Sequence, residues 1–249
     1  MFEIVLFGLA GFAAGLLNAI AGGGTFLTLP VLIYAGIPPV SANATSTLIV
    51  LPGYMSSVWA FRDDIHSEGT LSLRKIVTIA MIGSLIGAGL LVVTPGDAFL
   101  WVIPWMLLLA TVAFAAGPLI AETLQRRACG PASPAVSGFA VFIVSIYGGY
   151  FNGGLGIMLL ATLGLIGFTS LHGMNGLKNL LSAVLSLLSV CAFAFAGLIA
   201  WKPAILMAVC ATAGGYLGAR ATRRIDNTIL LRGFVTLVGF GMTVAFFVR

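Results

Sequence analysis

The sequence predicts an all-α fold, a polytopic membrane helical bundle of about 8 to 10 segments built as two inverted repeats with re-entrant or broken helix hairpins. Three observations lead there. Of 249 residues, 60% are hydrophobic and 8% charged, against roughly 25% charged in an ordinary soluble domain, and the mean hydropathy is +1.13. Ile76 to Val93, Phe99 to Ile120 and Leu180 to Ala200 are uncharged over about 20 residues each, the length a helix needs to cross about 30 Å of hydrocarbon. Small residues also recur at one offset of roughly 131 positions, the mark of a duplicated unit. Gly22 and Gly23 match Gly153 and Gly154, Gly36 matches Gly167, and Gly83, Gly87 and Ala88 match Gly214, Gly218 and Ala219.

Apolar runs between Gly, Pro and charge clusters divide the chain into segments at about 2–19, 24–36, 43–61, 74–94 and 99–120, then 136–150, 155–168, 173–197, 203–221 and 228–248. The second and the seventh, at about 13 or 14 residues, fall short of the roughly 17 a span requires and read as half-helices. The start, MFEIVLFGLA, lacks the basic region of a signal peptide and runs straight into a helix. An outer-membrane barrel would show short segments of alternating polarity instead. The repeats are placed at 1–121 and 136–249, with 122–135, polar and rich in small residues, as a cytoplasmic linker.

Orientation follows from the basic residues. If the halves insert upside down relative to each other, Arg62, Arg74, Lys75, Arg126, Arg127, Arg220, Arg223 and Arg224 share one face, and only Lys202 and Arg249 lie on the other. Parallel halves would split them almost evenly. The positive-inside rule therefore favours inverted repeats in a cell inner membrane, the basic face cytoplasmic and both termini periplasmic. The net charge of +5 is spread over segment ends, which argues against a nucleic-acid partner. Cys129, Cys191 and Cys210 show no metal-ligand spacing, and no metal or cofactor is expected.

Chemistry is expected where the helices break. After Asn18, the triplet Gly22, Gly23 and Gly24 precedes a short helix starting near Thr25, whose first N–H groups and positive dipole end form a ready anion site. Asn152, Gly153 and Gly154 offer the same device in the second half. Close helix packing is the plainer use of such glycines, but non-helical backbone must be satisfied in the membrane and the break occurs twice. The segments that follow open with Asn43, Thr45, Ser46 and Thr47 in one half and with Asn175, Lys178 and Asn179 in the other. These groups would bind an oxyanion or bond helices together. Lys178 stands out, since a charge inside a membrane segment is costly and is by default functional, although its long stem leaves snorkelling to the interface open.

The acids argue by position. Glu3, Asp63, Asp64, Glu68, Asp97, Glu122 and Asp226 all fall at segment ends or in loops, so no carboxylate is placed for a proton relay or a metal. No H-E-x-x-H occurs, and His66 and His172 fall at loops, away from a serine they could activate. An electropositive interior with glycine turns suits a small anionic substrate rather than catalysis.

The stretches GFAAGLLNAIAGGGTFLTLPVLIYAGIPPVSANATSTL, NGGLGIMLLATLGLIGF and HGMNGLKNLLS resemble the sulfite exporter TauE/SafE family of membrane permeases, over essentially the whole chain. The resemblance implies a bacterial inner-membrane transporter of about eight transmembrane segments that moves sulfite, sulfoacetate or related sulfur-containing anions, generally outward. Its first motif falls on Gly22, Gly23, Gly24, Pro30, Gly36, Ala42, Thr45 and Ser46, and its second on Asn152, Gly153, Gly154, Gly156, Asn175, Lys178 and Asn179. Thr25 departs from the pattern, where members more often carry a small or aliphatic residue. The expected activity is alternating-access export of a small anion. The rivals are a channel-like anion facilitator and a membrane enzyme or assembly factor whose polar clusters only join helices. Small-residue faces at Gly83 to Gly89 and Gly214 to Ala219 could pack within the chain or form a homodimer.

Overall fold

A computed structural model describes residues 2–21, 23–66, 68–126, 132–222 and 229–248. The described residues form α1 (Phe2–Ala21), α2 (Thr25–Tyr34), α3 (Pro39–Phe61), α4 (Leu73–Val93), α5 (Gly96–Arg126), α6 (Pro134–Tyr150), α7 (Leu155–Ile166), α8 (Leu171–Phe195), α9 (Trp201–Thr222) and α10 (Ile229–Val248), with a single 3₁₀ turn at Arg62–Asp64. No strand occurs among them. Leu73–Val93, Gly96–Ala113 and Gly173–Phe195 are long and apolar enough to cross a membrane by length and composition.

The ten expected segments and the ten helices correspond in order; their ends differ where proline was read as a breaker. α3 begins at Pro39, not near position 43, because Pro38 caps it in an extended conformation and Pro39 occupies its first turn, where a missing N–H costs nothing. α6 starts in the same way, with Ser133 ahead of Pro134. α5 runs on to Arg126, five residues into the stretch read as linker.

α2 and α7 are short, 10 and 12 residues, about 15 and 18 Å at 1.5 Å per residue. Both end on a glycine in the left-handed region, Gly36 at φ 82° and Gly167 at φ 104°. Each closes a reversed turn, the next amide bonding back across it, Ile37 to the Leu32 carbonyl and Phe168 to the Leu163 carbonyl. A side chain at either glycine would be strained. The match between these residues in the sequence thus becomes the same stop in both halves.

The helix contacts repeat between halves. α1 packs on α9 as α6 packs on α4, and α3 on α9 as α8 on α4; α2 meets α1, α3 and α10 as α7 meets α6, α8 and α5. The α3–α8 and α5–α10 pairs, each linking corresponding helices, join the two sets. The glycine faces explain the tightest crossings. Gly11, Gly15, Gly214 and Gly218 set α1 against α9 backbone to backbone, and Gly83, Gly87 and Gly149 do the same for α4 and α6. These faces therefore pack inside the chain, as small residues do where helices approach closely. Leucine at Gly15 or Gly87 would overlap the carbonyl of Ala211 or Ile146. Either substitution is expected to destabilise the fold by at least about 1–3 kcal/mol. Gly89→Leu, where a side chain meets open space, should not. Equal thermal unfolding of all three variants in detergent would refute this packing.

The exterior is apolar. Leu9, Trp59, Trp101, Phe195, Val209 and Leu237 are among many large apolar side chains on the surface, tolerable where lipid replaces water. Trp59, Trp101 and Trp201 sit near helix ends, the usual place of tryptophan at membrane interfaces, and the Arg62 guanidinium lies 4.4 Å from the Trp59 ring centroid. Cys191 lies on this outer surface.

Candidate polar site between the two halves

α3 and α8 carry the site in matching register. Counted from the first residue of each helix, Asn43 corresponds to Asn175, Ser46 to Lys178, Thr47 to Asn179, Val50 to Ser182 and Tyr54 to Ser186. Steps of three and four residues keep each set on one helix face. All but Asn175 are buried, as are Asn18 at the end of α1 and Asn152 in the turn before α7. Polar side chains in a bundle with an apolar exterior need partners, and their partners show how the site is assembled.

Asn152 is the junction. Its Oδ1 accepts from the Tyr54 hydroxyl at 3.0 Å and its Nδ2 donates to Ser186 Oγ at 2.7 Å, so the turn before α7 is tied to both α3 and α8. Asn18 and Ser182 lie beside the same Tyr54 hydroxyl, although neither side chain completes a hydrogen bond of good geometry. Gly24, in the turn before α2, packs against Ala14, Asn18 and Val50, close enough that a Cβ there would press on the Ala14 carbonyl at 2.6 Å. The path Gly24, Asn18, Tyr54, Asn152 thus connects the two glycine turns.

The turns differ in conformation. Gly24 is right-handed helical, at φ −57° and ψ −36°, whereas Gly154 is left-handed at φ 70° and abuts Ala110 of α5. The Gly153 carbonyl accepts from the Tyr147 hydroxyl at 2.6 Å. At the first turn, the Phe26 amide bonds to the Gly23 carbonyl, and those of Leu27 and Thr28 bond to the Gly24 carbonyl. The amides of Gly24 and Thr25 at α2 and of Gly156 at α7 have no such partner among the described residues. These are the N–H groups a helix start leaves for a ligand. Gly22 lies outside the described residues.

Lys178 is inside the bundle, 1% exposed, so its stem does not carry the charge to the surface. Its ammonium donates to Asn175 Oδ1 at 3.2 Å, the residue one turn before it on the same face. Asn43 Nδ2 donates to the Tyr150 carbonyl at 2.9 Å. Thr45 does something else: its hydroxyl accepts from the Ala200 amide at 3.0 Å and so caps the entry to α9. Nothing in the sequence near position 45 marks that pairing.

Several polar atoms in the described interior are buried with no partner: both amide atoms of Asn18 and Asn179, Asn43 Oδ1, and the hydroxyls of Thr28, Ser46, Thr111 and Ser182. Thr111 of α5 and Phe26 of α2 both lie against Gly239 of α10, beside the start of α2. Tyr54, Ser182, Ser186, Thr28 and Thr111 were not among the residues expected from sequence. A signal existed for the first three, which continue the helical spacing of Asn43 and Asn179, and none for the others. No cluster of His, Cys, Asp or Glu suited to a metal ion occurs among the described residues.

The family model for the sulfite exporter TauE/SafE matches residues 7–246. Among similar proteins, a probable membrane transporter protein of Haemophilus influenzae is 29% identical over 238 residues, 94% of this chain and 90% of the relative. The probable membrane transporter protein YfcA of Escherichia coli strain K12 is 31% identical over 237 residues, 92% and 84% of the two chains. The probable membrane transporter protein ORF9 of Sinorhizobium sp is 28% identical over 220 residues, covering 86% and 80%. With the helical architecture and an interior polar site built from both halves, these matches establish that the chain is a membrane protein of the sulfite exporter TauE/SafE family.

Proposed function

We propose that the protein is a secondary transporter that exports a small sulfur-containing anion, such as sulfite or sulfoacetate, across a bacterial inner membrane by alternating access. One observation carries the reading: buried polar atoms with no partner, on Asn18 beside Gly24 and on Ser182 beside the Tyr54 that bonds Asn152, lie next to both glycine turns, and the buried Lys178 lies one turn from Ser182 on α8. Such unpartnered atoms cost free energy unless a ligand satisfies them. The proposed cargo is dehydrated onto the amides of Gly24, Thr25 and Gly156, with Asn18, Asn152 and Asn179 around it and Lys178 supplying positive charge. The two halves, 1–121 and 136–249, act as inverted repeats around the site, with the region between them in the cytoplasm and both termini periplasmic.

Purified protein in liposomes loaded with sulfite, sulfoacetate, thiosulfate or chloride tests this. Saturable flux of a sulfur-containing anion is expected, with chloride slower. A membrane potential should bias a monovalent anion outward from the negative side by about 2.3 kcal/mol per 100 mV, roughly 50-fold at equilibrium. Flux that does not saturate would make the protein a channel, and no anion flux at all would remove the transport reading.

A further inference from the structure

The helix contacts do not follow the division into sequence halves. α9, from the second half, packs on α1 and α3, and α4, from the first, packs on α6 and α8. α10 touches α2 and α5 touches α7. One set is therefore the unbroken run from α4 to α8, and the other is made of what flanks it, α1 to α3 with α9 and α10. Among the described helices the chain passes between the sets at two places, residues 62–72 and 196–200. From Glu68 onward the first link is already tied to the α4 to α8 set. Glu68 accepts from the Thr169 and Ser170 amides, the Thr70 amide donates to the Ile166 carbonyl, and the Thr70 and Ser137 hydroxyls are 2.9 Å apart. The second link holds Gly197, left-handed at φ 69° with open space about it.

The interfaces within and between the sets differ in kind. Within them, α1 meets α9 and α4 meets α6 backbone to backbone at glycines, and surfaces packed so closely move together. Between them runs the α3–α8 seam, where Tyr54 and Ser186 are joined through Asn152 and Ser182 Oγ is buried without a partner. At one end of the seam the residues that finish α3 cover the start of α8. A Cβ at Gly176 would lie 2.8 Å from Ile65 Cγ1 and 3.3 Å from the Phe61 carbonyl, and one at Gly173 would lie 3.2 Å from the Asp64 carbonyl. At the other end the Ala200 amide donates to the Thr45 hydroxyl at 3.0 Å.

Resting on the transport reading above, we infer that the bodies which move against each other are these two sets and not the sequence halves, and that the end of the seam beneath Phe61 and Ile65 is a gate on the face that carries Arg62, Arg74 and Lys75. Motion between the sequence halves would slide α1 over α9 and α4 over α6, where a Cβ at Gly15 or Gly87 would already overlap a carbonyl. Motion between the sets requires only that the α3–α8 and α5–α10 contacts change and that the two links bend, as hinges of a few loop residues do.

Two disulfide bridges separate the alternatives. Ile65→Cys with Gly176→Cys, in protein carrying Cys129→Ala, Cys191→Ala and Cys210→Ala, ties the end of α3 to α8 and so joins the sets. Gly8→Cys, in protein carrying Cys129→Ala and Cys191→Ala, ties α1 to α9 within one set through Cys210, whose sulfur is 3.7 Å from where a Cβ at Gly8 would lie. Both bridges join one sequence half to the other, so motion between halves would be stopped by either, and motion between sets by the first alone. In proteoliposomes, oxidation of the first pair should abolish radiolabelled sulfite flux and reduction should restore it, while oxidation of the second should leave flux unchanged. Flux that survives the first bridge, or is lost with the second, would overturn the inference while leaving anion transport standing. Should the first pair be inactive even when reduced, spin labels decide the matter. The distance between labels on the exposed Leu217 of α9 and Leu187 of α8 should change when sulfite is added, and that between Leu217 and the exposed Val5 of α1 should not. The same result for both label pairs, or the reverse, would overturn the inference. Absence of any anion flux in the wild type would instead overturn the transport reading, and this inference with it.

Discussion

Lys178→Ala is expected to lower anion flux about 10- to 100-fold while leaving the fold intact. The range follows from the loss of a charge-assisted hydrogen bond to the cargo, about 1.5–3 kcal/mol, at tenfold per 1.4 kcal/mol. The side chain is buried in a bundle whose outer face is apolar, where an ammonium costs at least a few kcal/mol. A residue retained against such a cost is accounted for by what it binds. Asn175 Oδ1 accepts from the ammonium at 3.2 Å and so orients it on the α8 face that the site uses. Lys178→Met separates function from structure. It keeps the length and apolar stem and removes the charge, and replacing a buried charge by a hydrophobe of similar size is often neutral or stabilising. Flux should fall as in the alanine variant, with thermal unfolding in detergent unchanged or shifted upward. A methionine variant that unfolds earlier and loses flux only in proportion to lost protein would make the lysine a structural residue, and the anion site would have to be sought elsewhere.

Much of the architecture was legible because membrane helices advertise themselves by length and charge. The duplicated glycines were legible for a related reason: backbone contact between crossing helices tolerates only small residues, so Gly83 and Gly87 against α6 and Gly214 and Gly218 against α1 had to leave a repeated trace. Helix starts were less so, since Pro38 and Pro39 look like an interruption until their place at the first turn is seen. Within the site, Asn18, Asn152 and Lys178 could be singled out because amides and charges are rare in such a chain. Tyr54 and Ser186 carried only the weaker signal of helical spacing from Asn43 and Asn179, and nothing in a sequence says that a tyrosine in α3 and a serine in α8 share one asparagine. The same ignorance of distant partners made Thr45 look like a ligand when its hydroxyl holds the amide at the entry to α9. The difference between the turns, right-handed at Gly24 and left-handed at Gly154, was likewise hidden, because glycine permits both.

Asn152→Leu should reduce both stability and flux, and the way it couples to Tyr54 distinguishes the proposed junction from simple packing. Leucine keeps the branching at Cγ but can neither accept from the Tyr54 hydroxyl nor donate to Ser186 Oγ. Two buried hydroxyls lose a partner; the tyrosine can turn to Asn18 or Ser182 beside it, so the expected loss is about 1–3 kcal/mol rather than twice that. Tyr54→Phe alone strands the Asn152 oxygen and should cost a similar amount. In the double variant both partners are apolar, and removing a pair together costs less than the two single losses added. Thermal unfolding should therefore show a coupling of about 0.5–3 kcal/mol between the two positions, with the double variant more stable than additivity allows. Flux should not recover with it, because the tie between the turn before α7 and α3 is gone although the interior is again satisfied. Strictly additive stabilities would mean that the two side chains do not share a bond, and full recovery of flux in the double variant would mean that the bond serves folding alone.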